Sequence, residues 1–411
     1  MGSDNRNRIY TTSINPGCYS ATGKCSLYLE LFERNGYEKT DDYREASVIF
    51  IYTCISHSKA EEIFRNRMDE IMRNKREDAE VILSGCEVFA HSELIRNTYG
   101  CFVFGFNEED KLEEHLRLKR IREDELHYYG DTELTHVRIR RWKVYQRICS
   151  SISRVFKYLY PPVNKALDNF LKTIRPYSPG AYYVIVGDGC TNNCSYCSIK
   201  LAKGYVKSRD LDAILGEIRL ALENGYNHFT VISDDFASYG KDVRDKDIDC
   251  IDLLNSIFSI GGGFTIDIPN LNPIGLEDKL EEFVEAIVPG RVVSVHLPLQ
   301  SGSDRILKLM ARDYTRDEYI NMAGRILERD PEISIRTDII VGFPSETEED
   351  FQQTLDIIDK IPFGRVEPFI YDDRPGKPAS DIQPKVPLDV MKKRKQRISV
   401  RFIKNLIKNA L

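Results

Sequence analysis

Gly189-Cys190-Thr191-Asn192-Asn193-Cys194-Ser195-Tyr196-Cys197 follows directly on an apolar, β-branched run, Ala181–Gly187. Three cysteines spaced by three residues and then two let one short loop aim three thiolates at a single iron–sulfur cluster. Three ligands leave one iron of a [4Fe–4S] cubane open. S-adenosylmethionine (SAM), a cofactor of radical chemistry, can chelate that iron through its amino and carboxylate groups. The competing readings are a structural zinc site and three unrelated core cysteines. Structural zinc closes with four ligands, and no nearby His or Cys completes a tetrahedron.

Outward from this loop a strand–helix alternation repeats. Further β-branched runs stand at His228–Ser233, Gly263–Ile268, Arg291–Leu297, Ile333–Val341 and Arg365–Tyr371. Helical spacing occupies Leu211–Glu223, Asp247–Ser259, Leu276–Ile287 and Glu346–Lys360. Such alternation implies a parallel sheet with crossover helices, here a partial (β/α)6 barrel whose site lies at the carboxyl ends of its strands. Residues 8 to about 118 repeat the pattern on a smaller scale, with strands expected at Arg8–Ser13, Ser47–Tyr52, Glu80–Leu83 and Cys101–Phe104. This reads as a separate open α/β sheet. Cys18, Cys54 and Cys86 fall just past three of its strand ends, which suggests a second metal site; by spacing alone, core cysteines read equally well. The division expected is 1–118, an insertion at 119–178, the barrel at 179–385 and a basic helix at 386–411.

The 411 residues carry 58 Lys and Arg against 64 Asp and Glu. No run of about 18 apolar residues exists to span a membrane, and the N-terminus lacks a signal peptide's apolar core. Ten cysteines without an export signal point to a reducing, cytoplasmic setting. The charge is uneven. From His136 to Arg175 ten Lys or Arg face one acid, Asp168, and the tail from Val386 carries eight against Asp389. Either run marks contact with a polyanion or is a solvated helix face.

With both cysteine sets placed, the chain resembles the radical SAM methylthiotransferases. His296-Leu297-Pro298-Leu299-Gln300-Ser301-Gly302-Ser303 is similar to the family's signature after the fourth barrel strand, and Arg336 through Thr347 to the segment around the fifth. Arg374 to Ala379 matches the element after the sixth, while Gly17-Cys18, Thr53-Cys54 and Ser84-Gly85-Cys86 match the ligand sites of the N-terminal domain. Departures are Ala21 for Asn, Cys25 for Ser, Tyr52 for Asn, and Ser233-Asp234-Asp235 for Gly-Gln-Asn. The family's small C-terminal β-barrel, the TRAM domain, is expected to be missing, with a helix in its place.

The resemblance implies two [4Fe–4S] clusters and SAM. Cys190, Cys194 and Cys197 would hold the cluster that cleaves SAM to a 5′-deoxyadenosyl radical, fed by a flavodoxin- or ferredoxin-like electron donor. Cys18, Cys54 and Cys86 would hold an auxiliary cluster carrying the sulfur, and a second SAM would methylate it. Asp234 and Asp235 are candidates for the SAM amino group, or helix caps. Gln300 and Ser301 stand where ribose or substrate contacts are expected; Gly342, Phe343 and Pro344 would back the adenine, with Tyr196 beside it or in the wall. Arg336 and Arg374 would neutralise a carboxylate or phosphate, or pair with barrel acids. His296 reads as a structural histidine, and Cys101, Cys149 and Cys250 as packing residues. Cys25 is a spare ligand, a persulfide carrier, or neither. The expected substrate is a protein or peptide, because the barrel that usually grips larger targets is not expected; the alternative is the N6-modified adenosine beside the tRNA anticodon. A non-catalytic two-cluster protein is the alternative from another class, and the SAM-contacting segments argue against it.

Overall fold

A computed structural model describes residues 7–14, 19–54, 58–105, 108–119, 181–243, 248–374 and 376–410. The basic run from His136 to Arg175, Cys18 and Cys149 lie outside them.

The first unit is a five-stranded sheet built from β1 (Arg8–Ser13), β2 (Glu38–Lys39), β3 (Val48–Thr53), β4 (Glu80–Gly85) and β5 (Phe102–Val103). The order is β2-β1-β3-β4-β5, with every pairing parallel. Helices on both faces bury β3 along its whole length, which is why Val-Ile-Phe-Ile-Tyr-Thr shows no polar alternation. One face packs Ile49, Ile51 and Leu83 on Phe64, Met68 and Val88. The other packs Phe32, Phe50 and Phe104 in a core that also takes in Tyr183, Ile185 and Ile232 of the second sheet. The two sheets therefore share an apolar seam.

The second sheet contains β6 (Tyr182–Ile185), β9 (His228–Ile232), β10 (Thr265–Ile268), β11 (Val292–His296), β12 (Ser334–Val341) and β13 (Arg365–Ile370), all parallel and in chain order. A short antiparallel pair, β7 (Gly187–Asp188) with β8 (Lys207–Ser208), frames the cysteine loop. Along β12 the residues Ile335, Thr337, Ile339 and Val341 are buried, while Ser334, Arg336, Asp338 and Ile340 alternate as half-buried. That alternation gives the barrel an apolar outer face against its helices and a more polar inner one. On the inner side His228 bridges Thr265 (2.7 Å) and Asp267 (2.9 Å), and Ser294 donates to Asp267 (2.5 Å). Capping boxes begin the helices Cys250–Ser259 (Asp249, Asp252), Arg316–Arg329 (Thr315, Glu318) and Glu348–Lys360 (Thr347, Asp350).

The helix Leu388–Ala410 packs on the barrel's outer face, and three of its eight basic residues turn to acids there. Arg394 pairs with Glu346 at 2.7 Å, Arg397 with Glu348 at 2.5 Å and Arg401 with Asp359 at 2.7 Å. The tail's positive charge thus serves the fold at these three positions. No described helix is long and apolar enough to cross a membrane.

Candidate active site at the facing sheet edges

The cysteine loop is shaped by its own backbone and by three neighbouring elements. Gly189 has φ +80°, and a Cβ there would lie 2.5 Å from the Tyr205 carbonyl, so only glycine fits the turn. Asp235, buried at the end of the second barrel strand, accepts Asn192 Nδ2 at 2.8 Å and Ser238 Oγ at 2.6 Å. Its other oxygen accepts the backbone amides of Ala237 (3.1 Å) and Asn272 (3.2 Å). Ser195 donates its amide to the Met310 carbonyl (3.0 Å) and accepts the Ala379 amide (3.1 Å). The middle of the loop is thereby held from two distant parts of the chain.

The sulfurs are set up as cluster ligands are. Cys190 Sγ receives Asn192 N and Nδ2, both at 3.4 Å, and Cys197 Sγ receives Ile199 N at 3.4 Å. Arg312 Nη1 points at Cys194 Sγ from 3.7 Å. All three cysteines are half-buried. Burial first, and then the Asp235 charge, push the Cys190 thiol up to about 12 against the Asn192 hydrogen bonds. Burial likewise pushes Cys197 to about 11, opposed by Ile199 N–H. Thiols this weak ionise when a metal takes the proton's place, so loading releases protons. Among the described residues no group of three or more His, Cys, Asp or Glu closes round a single metal ion. The donor set, the N–H···S bonds and the fixed loop fit a three-cysteine cluster.

The first sheet presents its own cysteines at the same seam. Thr53 of β3 pairs in register with Gly85 of β4, so Cys54 and Cys86, one residue further on, emerge side by side. Thr53 Oγ1 donates to the Ser84 carbonyl (2.8 Å) and accepts Val88 N (3.3 Å), tying the two ligand turns together. Strand β1, after which Cys18 comes, is the other neighbour of β3. Burial pushes the Cys86 thiol up to about 12, and the Lys203 ammonium opposes it.

Lys203 was not singled out from sequence. Its Nζ lies 3.0 Å from Asp188 Oδ1 and 3.1 and 2.9 Å from the two oxygens of Asp234, and Asp188 Oδ2 also meets Lys24 Nζ at 3.1 Å. All four side chains are buried. Burial acts to depress the Lys203 ammonium's pKa, but the two carboxylates outweigh it and hold the charge firmly. Burial acts to raise Asp188, and Lys203 and Lys24 together overcome that; Asp234, with burial dominant, stays raised. Removing one partner of a buried pair costs about 3–5 kcal/mol. The one signal in the sequence is position: Asp188 two residues before the first ligand, Lys203 six after the third, Lys24 in an otherwise uncharged stretch of helix Tyr19–Arg34.

Several of the candidate residues are engaged within the protein itself. Asp234 and Asp235 both hold partners of this chain. The first is spent on Lys203 and the Gly189 amide (2.8 Å), and the second on the loop. Ser301 is fully buried and accepts Ser303 N (3.3 Å) inside a turn. Gln300, at φ +65°, extends the sheet by exchanging backbone bonds with Asp338 and Ile340, and its Oε1 is a buried atom without a hydrogen bond. A Cβ on Gly342 (φ +76°) would meet Met391 Cγ at 2.3 Å, so the close approach there is to the last helix. Phe343 and Pro344 are buried, and Phe343 joins Tyr196, Met310 and Tyr371 in a small apolar cluster. Tyr196 is thus part of the wall.

His296 behaves as a structural residue, bonding the Pro269 carbonyl (2.6 Å) and Asp338 (3.1 Å). Burial acts to lower its pKa, but Asp338 and the Pro269 carbonyl together outweigh burial and leave it raised. Arg336 lies on the same inner face, and Arg374 pairs with Asp372 at 3.0 Å. Cys101 and Cys250 pack in the two cores. Cys25 is fully buried, its thiol pushed up to about 12 by burial against a hydrogen bond from the Tyr52 backbone, which makes it a packing residue too.

The comparisons agree with this architecture. The Radical SAM superfamily profile matches residues 184–358, and that of the uncharacterized protein family UPF0004 matches residues 10–106. Among solved structures, the radical SAM methyltransferase TsrM from Kitasatospora setae, with cobalamin and a [4Fe–4S] cluster bound, covers 91% of this chain and 77% of its own at TM-score 0.58 and 13% identity. At that identity the likeness concerns the fold alone, and the fold is that of a radical SAM enzyme. A tRNA-2-methylthio-N(6)-dimethylallyladenosine synthase of Desulfitobacterium hafniense is 30% identical over 388 residues, 93% of this chain and 79% of the relative. Its counterpart in Carboxydothermus hydrogenoformans is 31% identical over 395 residues, 94% and 81%. A threonylcarbamoyladenosine tRNA methylthiotransferase, MtaB, of Thermotoga maritima is 29% identical over 401 residues, 95% and 83%. The chain belongs to the radical SAM methylthiotransferase family.

Proposed function

We propose that this enzyme inserts a methylthio group into an N6-modified adenosine of tRNA. The observation that carries the reading is that relatives named for two different N6-modified adenosines, dimethylallyl and threonylcarbamoyl, each align over more than nine-tenths of the chain. The protein or peptide substrate expected from sequence has no such support, and the tRNA alternative takes its place.

Cys190, Cys194 and Cys197 would hold the SAM-binding cluster, and Cys54, Cys86 and Cys18 the auxiliary one. When bound, these groups supply a radical able to abstract hydrogen from an unactivated carbon and the sulfur that replaces it. The chain's own part is placement. Asn192 and Ile199 donate to ligand sulfurs, Asp235 and Ser195 fix the loop, and the apolar cluster around Phe343 keeps water from one side. His296 and Asp338 hold each other on the barrel's inner face and leave Arg336 beside them.

The test is incubation of the anaerobically reconstituted chain with SAM, a reductant and tRNA carrying either N6-modified adenosine, in parallel with candidate peptides. Mass spectrometry of digested nucleosides should show a methylthio adduct on one of the two tRNAs. Adducts on peptide alone would overturn the proposal.

A further inference from the structure

Between the two cysteine sites the structure carries a buried chain of alternating charges, Lys24–Asp188–Lys203–Asp234. It crosses the seam. Lys24 belongs to the first sheet's helix Tyr19–Arg34; Asp188, Lys203 and Asp234 belong to the barrel, before, after and beside the cysteine loop. The short helix Ile199–Lys203 packs directly on the helix Cys86–Tyr99, whose first residue is a candidate ligand. A cavity of about 510 Å³ opens along this contact, bordered by Val88, Phe89, Arg96, Ala202 and Lys203.

We propose that Lys203 is a positioning residue through which the barrel sets the charge environment of the auxiliary site, holding one buried ammonium against Cys86 and Tyr52. The inference rests on the reading of Cys18, Cys54 and Cys86 as cluster ligands. Its orientation follows from the contacts. Asp188 and Asp234 hold the ammonium from the barrel side, which leaves the N-terminal sheet on the other. Electrostatics agree. The Lys203 charge opposes burial at both Cys86 and Tyr52, whereas in the barrel loop Cys190 feels the Asp235 carboxylate, Cys197 feels Lys377 and Asp234, and Arg312 points at Cys194. An ammonium beside a cluster favours the reduced, more negative form and so raises its reduction potential; hydrogen bonds, net charge and exposure are the usual levers on that quantity.

The experiment uses the full chain with Cys190, Cys194 and Cys197 changed to Ala, reconstituted anaerobically so that the auxiliary cluster is the one observed. Iron near four per chain establishes that this cluster exists; its absence would refute the ligand reading, not the role of Lys203. In that background Lys203→Met, Lys203→Arg and the charge-balanced pair Lys203→Met with Asp234→Asn are titrated by electron paramagnetic resonance at controlled potential. The expected result is a shift of the auxiliary midpoint to more negative potential in the Met variant, a smaller shift in the balanced pair, and recovery in Lys203→Arg. The balanced pair leaves Asp188 with Lys24 and no orphaned carboxylate, so it stands in where the single variant fails to hold its cluster. Full iron with an unchanged midpoint in either Met-containing variant would overturn the proposal. So would equal loss of the cluster in Lys203→Arg and Lys203→Met, since a purely structural lysine behaves that way.

Discussion

Asp235 Oδ2 accepts the side-chain amide of Asn192 at 2.8 Å, so the end of one barrel strand holds the loop that follows another. The same oxygen lies 3.8 Å from Cys190 Sγ and also takes the Ser238 hydroxyl. Asp235→Asn keeps the volume but turns an acceptor into a donor facing donors, which costs about 1–3 kcal/mol for each buried group left unmatched. SAM cleavage should fall about tenfold or more, with partial loss of iron from that site alone. Iron content and 5′-deoxyadenosine yield measure both; wild-type values for both would remove Asp235 from the site.

Two glycines separate backbone strain from collision. Gly225 has φ +87° with open space where a Cβ would stand, whereas Gly189 at φ +80° faces the Tyr205 carbonyl. Gly225→Ala should cost about 1 kcal/mol and leave activity intact. Gly189→Ala should abolish loading of the SAM-binding cluster, because the loop must move to admit the methyl. Thermal unfolding and iron analysis of the two variants side by side decide it.

Glu346 supplies the pH dependence. Burial pushes its carboxyl up to about 7 against the Gly342 amide and the Arg394 guanidinium. The folded protein then keeps a proton that the unfolded chain has released, so stability is greatest below the unfolded carboxyl's pKa and declines as pH rises through 7. The full effect is roughly 3 kcal/mol. Glu346→Gln retains the hydrogen-bonding shape and should flatten the difference in Tm between about pH 5 and about pH 8. A variant that keeps the wild-type slope would place the titrating group elsewhere.

The run from His136 to Arg175 is expected to meet RNA. Changing Arg138, Arg140, Arg141 and Lys143 to Ser should weaken tRNA binding and flatten its salt dependence by roughly three to four in log–log slope, one counterion for each lost phosphate contact. Affinities at several salt concentrations give that slope directly. An unaltered slope would make the run a solvated face.

Much of the frame was legible because local chemistry marks it. The helix expected at Leu211–Glu223 has those bounds in the structure, since Asp210 caps its start through the amides of Asp212 and Ala213. The six barrel strands fall within a residue or two of their β-branched runs. The cysteine loop announced itself by spacing. What stayed hidden depends on partners far along the chain. A carboxylate after a strand reads the same whether it faces a ligand or, like Asp234, a buried lysine. Gly342 signals a close approach, yet only the fold shows that Met391 fills it. Lys203, at the end of a short helix, looks like surface until the first unit's helix Cys86–Tyr99 packs against it. The substrate was the least legible part: the expectation turned on whether a further module follows, and residues that would grip RNA have no spacing of their own.

The hydrogen bond from the Ala379 amide to the Ser195 carbonyl, with Met391 seated against Gly342, has a consequence for biogenesis. A ribosome delivers the three thiols of residues 190–197 long before the segments that clamp them. Until residues 379 and 391 arrive, the half-made pocket exposes its sulfurs to oxygen and to stray metals. Iron–sulfur delivery therefore belongs after translation ends, and a nascent chain stalled short of residue 379 should be a poor client for the cell's cluster-transfer proteins.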